Sequence, residues 1–362
     1  MSSRFSFVLI VIICITLLFP ACSSKGWRID NVKEIPVGAG DSIFYISKKD
    51  KYYFTVNCNQ ISLIREDIAL IKKDNRFGYI DEDSEIILPD VYKYATVFKD
   101  NMAWVVRSDD APGIINHKGE LKFTLREVDW VEVYFEGMAR YYTIENRRKR
   151  YGFASLTGEK IVHPIYYDAT RFSEGVAAVK GVDGKWGYID KTGTVVLPAK
   201  FDDAAIFVNE HAVVCQGNKW GIIDKMGEYA LEPRFDYMVT DGELFMACSN
   251  EKWGWCDING NWLVAPQYEK ILPFNKGDLA PVLIKGKWAY VDKDGDIAIK
   301  RQFDEAYPFV DDMALVKIGD YYGFINAEGR YVINPQYTYV SADYISNAIY
   351  GIPYYSSVES DR

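Results

Sequence analysis

One short string in the chain has the spacing of a cation-binding loop. Residues 292–296 read Asp-Lys-Asp-Gly-Asp, which places acids at the first, third and fifth positions of a calcium-loop template. The template also needs Gly at its sixth position and Glu at its twelfth, where this chain has Ile297 and Phe303. Because Asp292 and Gly295 also fit the hairpin turn described below, we interpret the string as a turn, and we expect neither a metal nor another cofactor.

Cysteines and histidines could bind zinc, but their spacing does not fit a zinc site. No CxxC pair occurs, and the three histidines (His117, His163 and His211) lie far apart in the sequence. Cys215 and Cys248 occupy equivalent places in neighbouring repeats. They can form a disulfide only if their Cα atoms lie within about 7 Å. Alternatively they stay reduced as small core residues, which we favour. The sequence leaves open the redox state of all four cysteines beyond the N-terminal segment: Cys58, Cys215, Cys248 and Cys256.

Motifs of nucleophilic, phosphate-binding and metalloprotease enzymes are absent. The sequence has no Gly-rich phosphate loop, no GxSxG and no HExxH. A glycoside hydrolase needs two carboxylates across a cleft, and the 51 acidic residues leave such a pair open. The acids at repeated positions already have a turn role. We therefore expect a protein that is not an enzyme, with a glycan-directed hydrolase as the alternative.

The charge of the chain argues against nucleic acid as a partner. The net charge is −9, and no long basic block occurs. The longest basic run is Arg-Arg-Lys-Arg at residues 147–150. We interpret this run as a solvated loop tip, with contact to an anion or polyanion as the alternative.

The N-terminus has the character of an export signal. Residues 7–19 are apolar except for Thr16, and Arg4 is the only charge in the first 24 residues. The stretch from Phe5 to Ala21 spans about 17 residues, which is short for a membrane span and typical of the apolar part of a secretory signal.

The end of this stretch places Ala21 directly before Cys22. A small residue before Cys at this point resembles the lipobox of bacterial lipoproteins. The resemblance implies removal of residues 1–21 and diacylglycerol on the thiol of Cys22, which would tie the protein to a membrane. We therefore expect a lipid-anchored protein of the bacterial cell envelope, with the outer membrane favoured and the leaflet open. An uncleaved membrane anchor is the alternative.

A five-residue string that starts with Trp-Gly returns at a nearly constant period. Weaker copies have Gly at 78, 113, 152 and 323, so eight copies are spaced by 33 to 39 residues, as in a repeat array. We expect the Trp side chains to stack between repeats, with sugar-binding platforms as the alternative. The Gly residues would let a neighbouring backbone approach closely. The clearest copies start at Trp186-Gly187, Trp220-Gly221, Trp253-Gly254 and Trp288-Ala289.

Each copy is followed by the signature of a hairpin turn. An Asp side chain at the first turn position can accept a hydrogen bond from the backbone two residues later, and Gly at the fourth supplies positive φ. A Pro usually follows five to six residues later and predicts the end or the edge of the second strand. We predict three short strands per repeat. The turns with both Asp and Gly end at Gly193, Gly227, Gly260 and Gly295.

Together these residues resemble the WG-repeat (KWG-type) family of bacterial proteins, and the resemblance covers roughly residues 67–353. It implies a β-rich repeat array without a shared catalytic activity. We predict an all-β tandem array of short antiparallel strands. An open solenoid is favoured because propeller blades usually need about 40 or more residues. Propeller-like closure is the alternative.

The predicted divisions follow from these features. Residues 347–352 resemble the first strand of an unfinished ninth repeat. The divisions are a signal peptide at 1–21, a lipidated N-terminus and tether at 22–26, a capping segment or degenerate repeat at 27–66, about eight repeats at 67–353, and a tail at 354–362.

The function that fits these features is a non-catalytic binding scaffold, anchored as a lipoprotein in the bacterial cell envelope. An extended repeat surface suits a protein or polysaccharide partner. The alternative is a glycan-binding or glycan-active envelope protein that uses its aromatic side chains as platforms.

Overall fold

The computed structural model describes residues 34–39, 42–47, 52–108, 111–240, 242–275 and 277–350. The predicted signal peptide, Cys22, the tether and the C-terminal tail lie outside these ranges. The described residues form antiparallel sheets that follow one another along the chain, seven with four strands and one with seven. We treat the seven-stranded sheet as two four-stranded sheets that share one strand. We number the sheets I to IX and call the four strands of each sheet a, b, c and d, in order across the sheet.

Sheets I to IV contain the first fourteen strands of the chain. Sheet I has β1 (Glu34–Ala39), β2 (Ser42–Ser47) and β3 (Tyr52–Val56) as strands b, c and d. Sheet II has β4 (Gln60–Ile61), β5 (Ile68–Lys73), β6 (Arg76–Asp81) and β7 (Ile86–Ala95). The end of β7 is also strand a of sheet III, with β8 (Met102–Arg107), β9 (Gly113–Asn116) and β10 (Leu121–Thr124). Sheet IV has β11 (Trp130–Phe135), β12 (Met138–Glu145), β13 (Arg148–Ser155) and β14 (Lys160–Tyr166).

Sheets V to IX repeat this pattern more regularly. Sheet V has β15 (Asp168–Ala169), β16 (Val176–Lys180), β17 (Trp186–Asp190) and β18 (Val195–Phe201). Sheet VI has β19 (Asp203–Ala204), β20 (His211–Gln216), β21 (Lys219–Asp224) and β22 (Tyr229–Phe235). Sheet VII has β23 (Tyr237–Thr240), β24 (Phe245–Ser249), β25 (Lys252–Cys256) and β26 (Trp262–Tyr268). Sheet VIII has β27 (Lys270–Ile271), β28 (Ala280–Ile284), β29 (Lys287–Val291) and β30 (Ile297–Phe303). Sheet IX has β31 (Glu305–Val310), β32 (Met313–Ile318), β33 (Tyr321–Ile325) and β34 (Tyr331–Tyr337).

The two ends of the described chain meet in sheet I. The last strand, β35 (Tyr339–Val340), pairs antiparallel with β1, and Val340 lies opposite Val37. It thereby becomes strand a of the first sheet, so the array closes into a propeller-like ring. The predicted all-β array of antiparallel strand repeats is confirmed, but its closure follows the propeller-like alternative and not the open solenoid.

A four-stranded blade fits within the short repeat because strand a is very short in several sheets. Each repeat has four strands and not the predicted three, and strand a has only two residues in β15, β19 and β27. A fourth strand of two residues leaves no period-2 pattern in the sequence, yet it lets a complete blade fit within the short repeat.

The end of the array also differs from the prediction. Residues 342–350 form the only helix in the described chain, α1 (Ala342–Tyr350), where the sequence predicted the first strand of a ninth repeat from residue 347. Asp343 in its first turn accepts a hydrogen bond from the backbone N–H of Leu63 at 2.7 Å and forms an ion pair with Arg65. The helix is therefore held against sheet II, across the point where the ring closes.

The hydrophobic core lies between neighbouring sheets. Trp186, Tyr188 and Phe201 of sheet V pack with Phe207 and Val214, which belong to the sheet VI repeat. Similar clusters join the other sheets, so each repeat buries its apolar residues against its two neighbours. Strand d lies at the outer edge of each sheet and is largely exposed, as in β18 and β30.

The strand directions divide the loops between two faces of the ring. The a–b loops and the c–d turns lie on one face, and the b–c hairpins and d–a connections lie on the opposite face, which we call the hairpin face. Strand a begins and strand b ends on the hairpin face, so the start of each strand a lies near this face.

Candidate functional site

The repeated turn residues are fully used by the turn. Asp190 Oδ1 accepts hydrogen bonds from the backbone N–H groups of Thr192 at 2.9 Å and Thr194 at 3.0 Å. Asp292 Oδ1 accepts from Asp294 and Asp296 in the same way, so the calcium-like string is a hairpin turn in the structure. The fourth-position glycines of these turns have φ between +73° and +86°: Gly193, Gly227, Gly260 and Gly295.

The Gly of each Trp-Gly motif lies against the backbone of strand d. A Cβ atom added at Gly187 would be 2.6 Å from the carbonyl oxygen of Leu197, and at Gly254 it would be 2.3 Å from that of Val264. Gly221 has the same surroundings, 2.4 Å from the carbonyl oxygen of Leu231. The pairing register of strands c and d shifts at this place, so a side chain at this Gly would push the two strands apart.

The Trp residues differ in burial along the array. Trp186 is 7% exposed and belongs to the core between sheets V and VI. Trp220, Trp253 and Trp288 are half-buried at the edges of the corresponding clusters. The rings of Trp220 and Trp253 both contact that of Tyr237, with centroid distances of 4.9 and 5.7 Å. The Trp series thus packs between repeats, and the three half-buried members keep partial access to solvent.

A lysine before the Trp forms a link that the sequence analysis missed. Lys219 Nζ lies 2.6 Å from Asp236 Oδ1, and Asp236 Oδ2 accepts the backbone N–H of Asn250 in sheet VII at 2.7 Å. Lys287 and Asp304 make the same contact at 2.6 Å, and Lys185 bonds to Asp202. The constant spacing of 17 residues between the lysine and the acid was a signal in the sequence from which this link could have been predicted.

These lysines also affect the titration of their partners. The hydrogen bond from Lys219 and the N–H of Asn250 hold the pKa of Asp236 below its usual range. The corresponding lysine contacts lower the pKa values of Asp202 and Asp304. Each acid therefore stays ionised. It connects the b–c hairpin that carries its lysine to the next repeat.

One position of the repeat varies in chemistry from sheet to sheet. In each sheet, this position is the residue of strand a that lies at the hairpin face and is paired with a residue of strand b. Asp168 pairs with Lys180 in this way, and Asp203 pairs with Cys215. We call these nine side chains the inner row. Three are acidic, one is basic, one is an amide and four are aromatic. They are Gln60, Tyr94, Trp130, Asp168, Asp203, Tyr237, Lys270, Glu305 and Tyr339.

Two acids of the inner row lie in neighbouring sheets. Burial raises the pKa of Asp203, and the negative charge of Asp168 adds to that effect while Lys180 opposes it. Burial likewise raises the pKa of Asp168, against the opposing positive charge of Arg140. An open cleft lies beside Asp168 and is lined by Tyr167, Lys180 and residues 181–184.

Arg140 organises the neighbouring part of the row. Its Nη2 lies 2.6 Å from Glu132 Oε1 and its Nε lies 3.0 Å from Glu132 Oε2, which is a bidentate pair. Arg140 also donates to the carbonyl oxygen of Ala169 in sheet V. This arginine therefore holds strand a of sheet V against sheet IV, where the negative charge of Glu132 contributes to the raised pKa of Asp168.

Comparison with protein families settles what kind of chain this is. The model for the WG containing repeat matches seven times, at residues 77–109, 151–186, 186–220, 220–253, 253–288, 288–322 and 322–347. The chain belongs to the WG-repeat family. The eighth copy that we read at Gly113 is not among the matches, yet it lies in β9, which is strand c of sheet III as in the other repeats.

Similarity to solved structures extends to the fold alone. The crystal structure of a eukaryotic initiation factor is 11% identical, covers 86% of this chain and 98% of its own, and has a TM-score of 0.61. BamB from Moraxella catarrhalis is 10% identical, covers 75% of this chain and 94% of its own, with a TM-score of 0.41. No curated protein matches the sequence.

The remaining candidate groups of this WG-repeat protein do not converge. The structure records Cys58, Cys215, Cys248 and Cys256 as free, and burial raises the pKa of the Cys215 and Cys248 thiols to about 11. In the described ranges, no cluster of His, Cys, Asp and Glu could hold a metal ion. No helix of the described residues is long and apolar enough to span a bilayer.

Proposed function

We propose that this WG-repeat protein is a non-catalytic binding scaffold whose contact surface is the inner row and the hairpin face around it. The variation within the inner row supports this most directly. Positions with a structural task repeat the same residue type in successive sheets, as the Asp and Gly of the turn do. The inner row instead changes from acid to aromatic to lysine, which is expected where side chains contact a partner.

The proposal includes a lipid anchor at the bacterial cell envelope, with the outer membrane favoured. The support is the apolar N-terminal stretch that ends at Ala21-Cys22. Mass spectrometry of the membrane-bound protein should find residues 1–21 removed and diacylglycerol on Cys22. Cys22→Ser should abolish lipid labelling, whereas Cys58→Ser should not. A membrane-bound form that retains residues 1–21 contradicts this part.

The partner is a protein or a polysaccharide, and the test compares two variants with equal charge changes. Asp203→Asn with Lys270→Gln alters the inner row, whereas Asp294→Asn with Lys300→Gln alters exposed positions in the c–d turn and outer strand of sheet VIII, away from the hairpin face. Each protein is used to capture material from detergent-solubilised envelope. The proposal predicts a partner that is lost with the first variant and retained with the second. Equal capture by both variants contradicts it.

A glycan-directed hydrolase is the second candidate, and the pair formed by Asp168 and Asp203 favours it. A hydrolase needs one carboxyl group kept protonated as an acid, and burial raises the pKa of both residues. Incubation with polysaccharides and peptidoglycan fragments should then release sugars. Loss of turnover in both Asp168→Asn and Asp203→Asn, without unfolding, would establish that the protein is an enzyme. Absence of turnover in the wild type would contradict the hydrolase and leave the binding scaffold as the function.

A further inference from the structure

One hairpin breaks the regularity of the repeat array. In sheet VI, strands b and c pair for one rung beyond the Cys215–Trp220 pair, and sheets VII and VIII have the same single extra rung. In sheet IV, β12 and β13 pair for three rungs beyond the equivalent Tyr142–Tyr151 pair. Two additional rungs extend this hairpin by about 7 Å. It therefore projects from the hairpin face, beside the inner row.

The projecting hairpin carries the only run of four basic residues in the chain. Its tip is formed by Asn146 and Arg147, which have φ of +50° and +62°. Arg147 and Arg148 are exposed, and none of the ion pairs found in the described residues involves either of them. Successive residues of a strand point to opposite faces, so the hairpin presents cations on both sides.

Two further cations are already held in place by aromatic rings. The guanidinium of Arg150 lies 3.7 Å from the ring centroid of Tyr167, and its Nη1 donates to the carbonyl oxygen of Lys149 at 3.0 Å. Lys149 Nζ lies 4.6 Å from the ring centroid of Tyr142. Contacts of this kind fix the direction of the cations before a ligand arrives, which reduces the entropy lost on binding.

We propose that the β12–β13 hairpin and the adjacent inner row bind an acidic oligosaccharide, a chain of sugars with a carboxylate or phosphate at intervals. This inference rests on the proposed function and names the chemistry of its partner. Arginine pairs well with carboxylate and phosphate because its planar N–H groups can donate two parallel hydrogen bonds. Arg147, Arg148 and Arg150 supply such groups on one projecting element.

The carboxylates near the hairpin favour a ligand with widely spaced charges. Glu132 and Asp168 are close enough to Lys149 to affect the pKa of its ammonium group. A densely charged polymer such as nucleic acid would be repelled by these acids and by the net charge of −9. Sugar hydroxyls, by contrast, can donate hydrogen bonds to Asp168 and Asp203.

The test measures binding of the full-length protein in detergent to defined glycans by calorimetry. The acidic probes are an oligogalacturonate, a hyaluronate oligosaccharide and a phosphorylated mannan, and the neutral control is the methyl ester of the oligogalacturonate. Arg147→Gln with Arg148→Gln removes the two exposed cations. Lys300→Gln with Arg301→Gln is the matched control, because it removes the same charge from the exposed outer strand β30.

We expect at least one acidic probe to bind, with affinity that falls as salt increases and is about tenfold weaker in the hairpin variant. The β30 variant should bind as the wild type does. The inference is overturned if none of the three acidic probes binds, or if the methyl ester binds equally well. It is also overturned if both variants lose binding equally, or if single-stranded DNA binds more tightly than the acidic probes. If the hairpin variant still captures an envelope partner that Asp203→Asn with Lys270→Gln loses, the proposed function stands without it.

Discussion

The hydroxyl of Tyr188 donates a hydrogen bond to the carbonyl oxygen of Ala205, which lies 17 residues later in the next sheet, at 2.8 Å. Tyr290 makes the same contact to Tyr307, and Tyr79 makes it to Thr96, both at 2.8 Å. The third residue of the Trp-Gly-Tyr motif is thus a connector between repeats. It fills the core with its ring, and its hydroxyl satisfies a backbone carbonyl in or directly after strand a of the next sheet.

We predict that Tyr188→Phe lowers the free energy of unfolding by about 1–2 kcal/mol. The ring stays in the core, but the carbonyl of Ala205 loses its donor in a partly buried place. Tyr321→Phe serves as the control, because Tyr321 is 49% exposed. Denaturant unfolding followed by circular dichroism measures both. A Tyr188→Phe protein as stable as the control would show that the hydrogen bond contributes nothing to stability.

The Trp residues should contribute to stability in proportion to their burial. Trp186→Ala should cost about 3–5 kcal/mol because Trp186 is buried between sheets V and VI. Trp220→Ala and Trp253→Ala should cost less, since both rings are half-buried. Thermal unfolding ranks the three variants. If all three melt like the wild type while sugar binding disappears, the Trp side chains act as binding platforms instead.

The repeat could be predicted from the sequence because its signals are local. The Asp and Gly of the turn act within a few residues, and the period follows from counting the Trp-Gly strings. Ring closure could not be predicted, because it depends on the two residues Tyr339 and Val340 pairing with a strand about 300 positions earlier. The helix over residues 342–350 was missed for a similar reason, since contacts with Leu63 and Arg65 hold it in place.

The candidate binding surface was missed for a different reason. The inner row consists of single residues about 34 positions apart, and their side chains have no common type. Only the pairing register shows that Asp168 and Asp203 occupy the same place in successive sheets. The basic run at residues 147–150 was visible in the sequence, but its projection depends on the two extra rungs of β12 and β13.

The lysine–aspartate links predict a specific loss of stability in acid. The pKa of Asp236 is lowered in the folded protein, so its ionised form contributes stability that is present above the unfolded pKa of about 3.9 and is lost as pH falls through the lower folded value. Asp236→Asn should therefore be less stable than the wild type at neutral pH. The difference should shrink below about pH 4.

Denaturant unfolding at a series of pH values measures this difference. Asp320→Asn is the control, because Asp320 is exposed and lies outside the links. A difference between wild type and Asp236→Asn that stays constant into the acid range would mean that the ion pair with Lys219 is not its source. High salt should reduce the difference, since both partners are partly exposed.

The ion pair between Arg65 and Asp343 should control closure of the ring. Both side chains are buried, with exposures of 8% and 4%, and Asp343 also accepts the backbone N–H of Leu63. Asp343→Ala leaves the guanidinium of Arg65 buried without its carboxylate, which typically costs about 3–5 kcal/mol. Arg65→Met with Asp343→Leu removes both charges and should recover most of that loss.

Hydrogen exchange should show faster exchange in β1 and β35 for Asp343→Ala, while sheets V to VII keep their protection because each repeat contacts mainly its neighbours. Uniform loss of protection across all sheets would show that the ring unfolds as one unit, and unchanged exchange in β35 would show that closure does not depend on this pair.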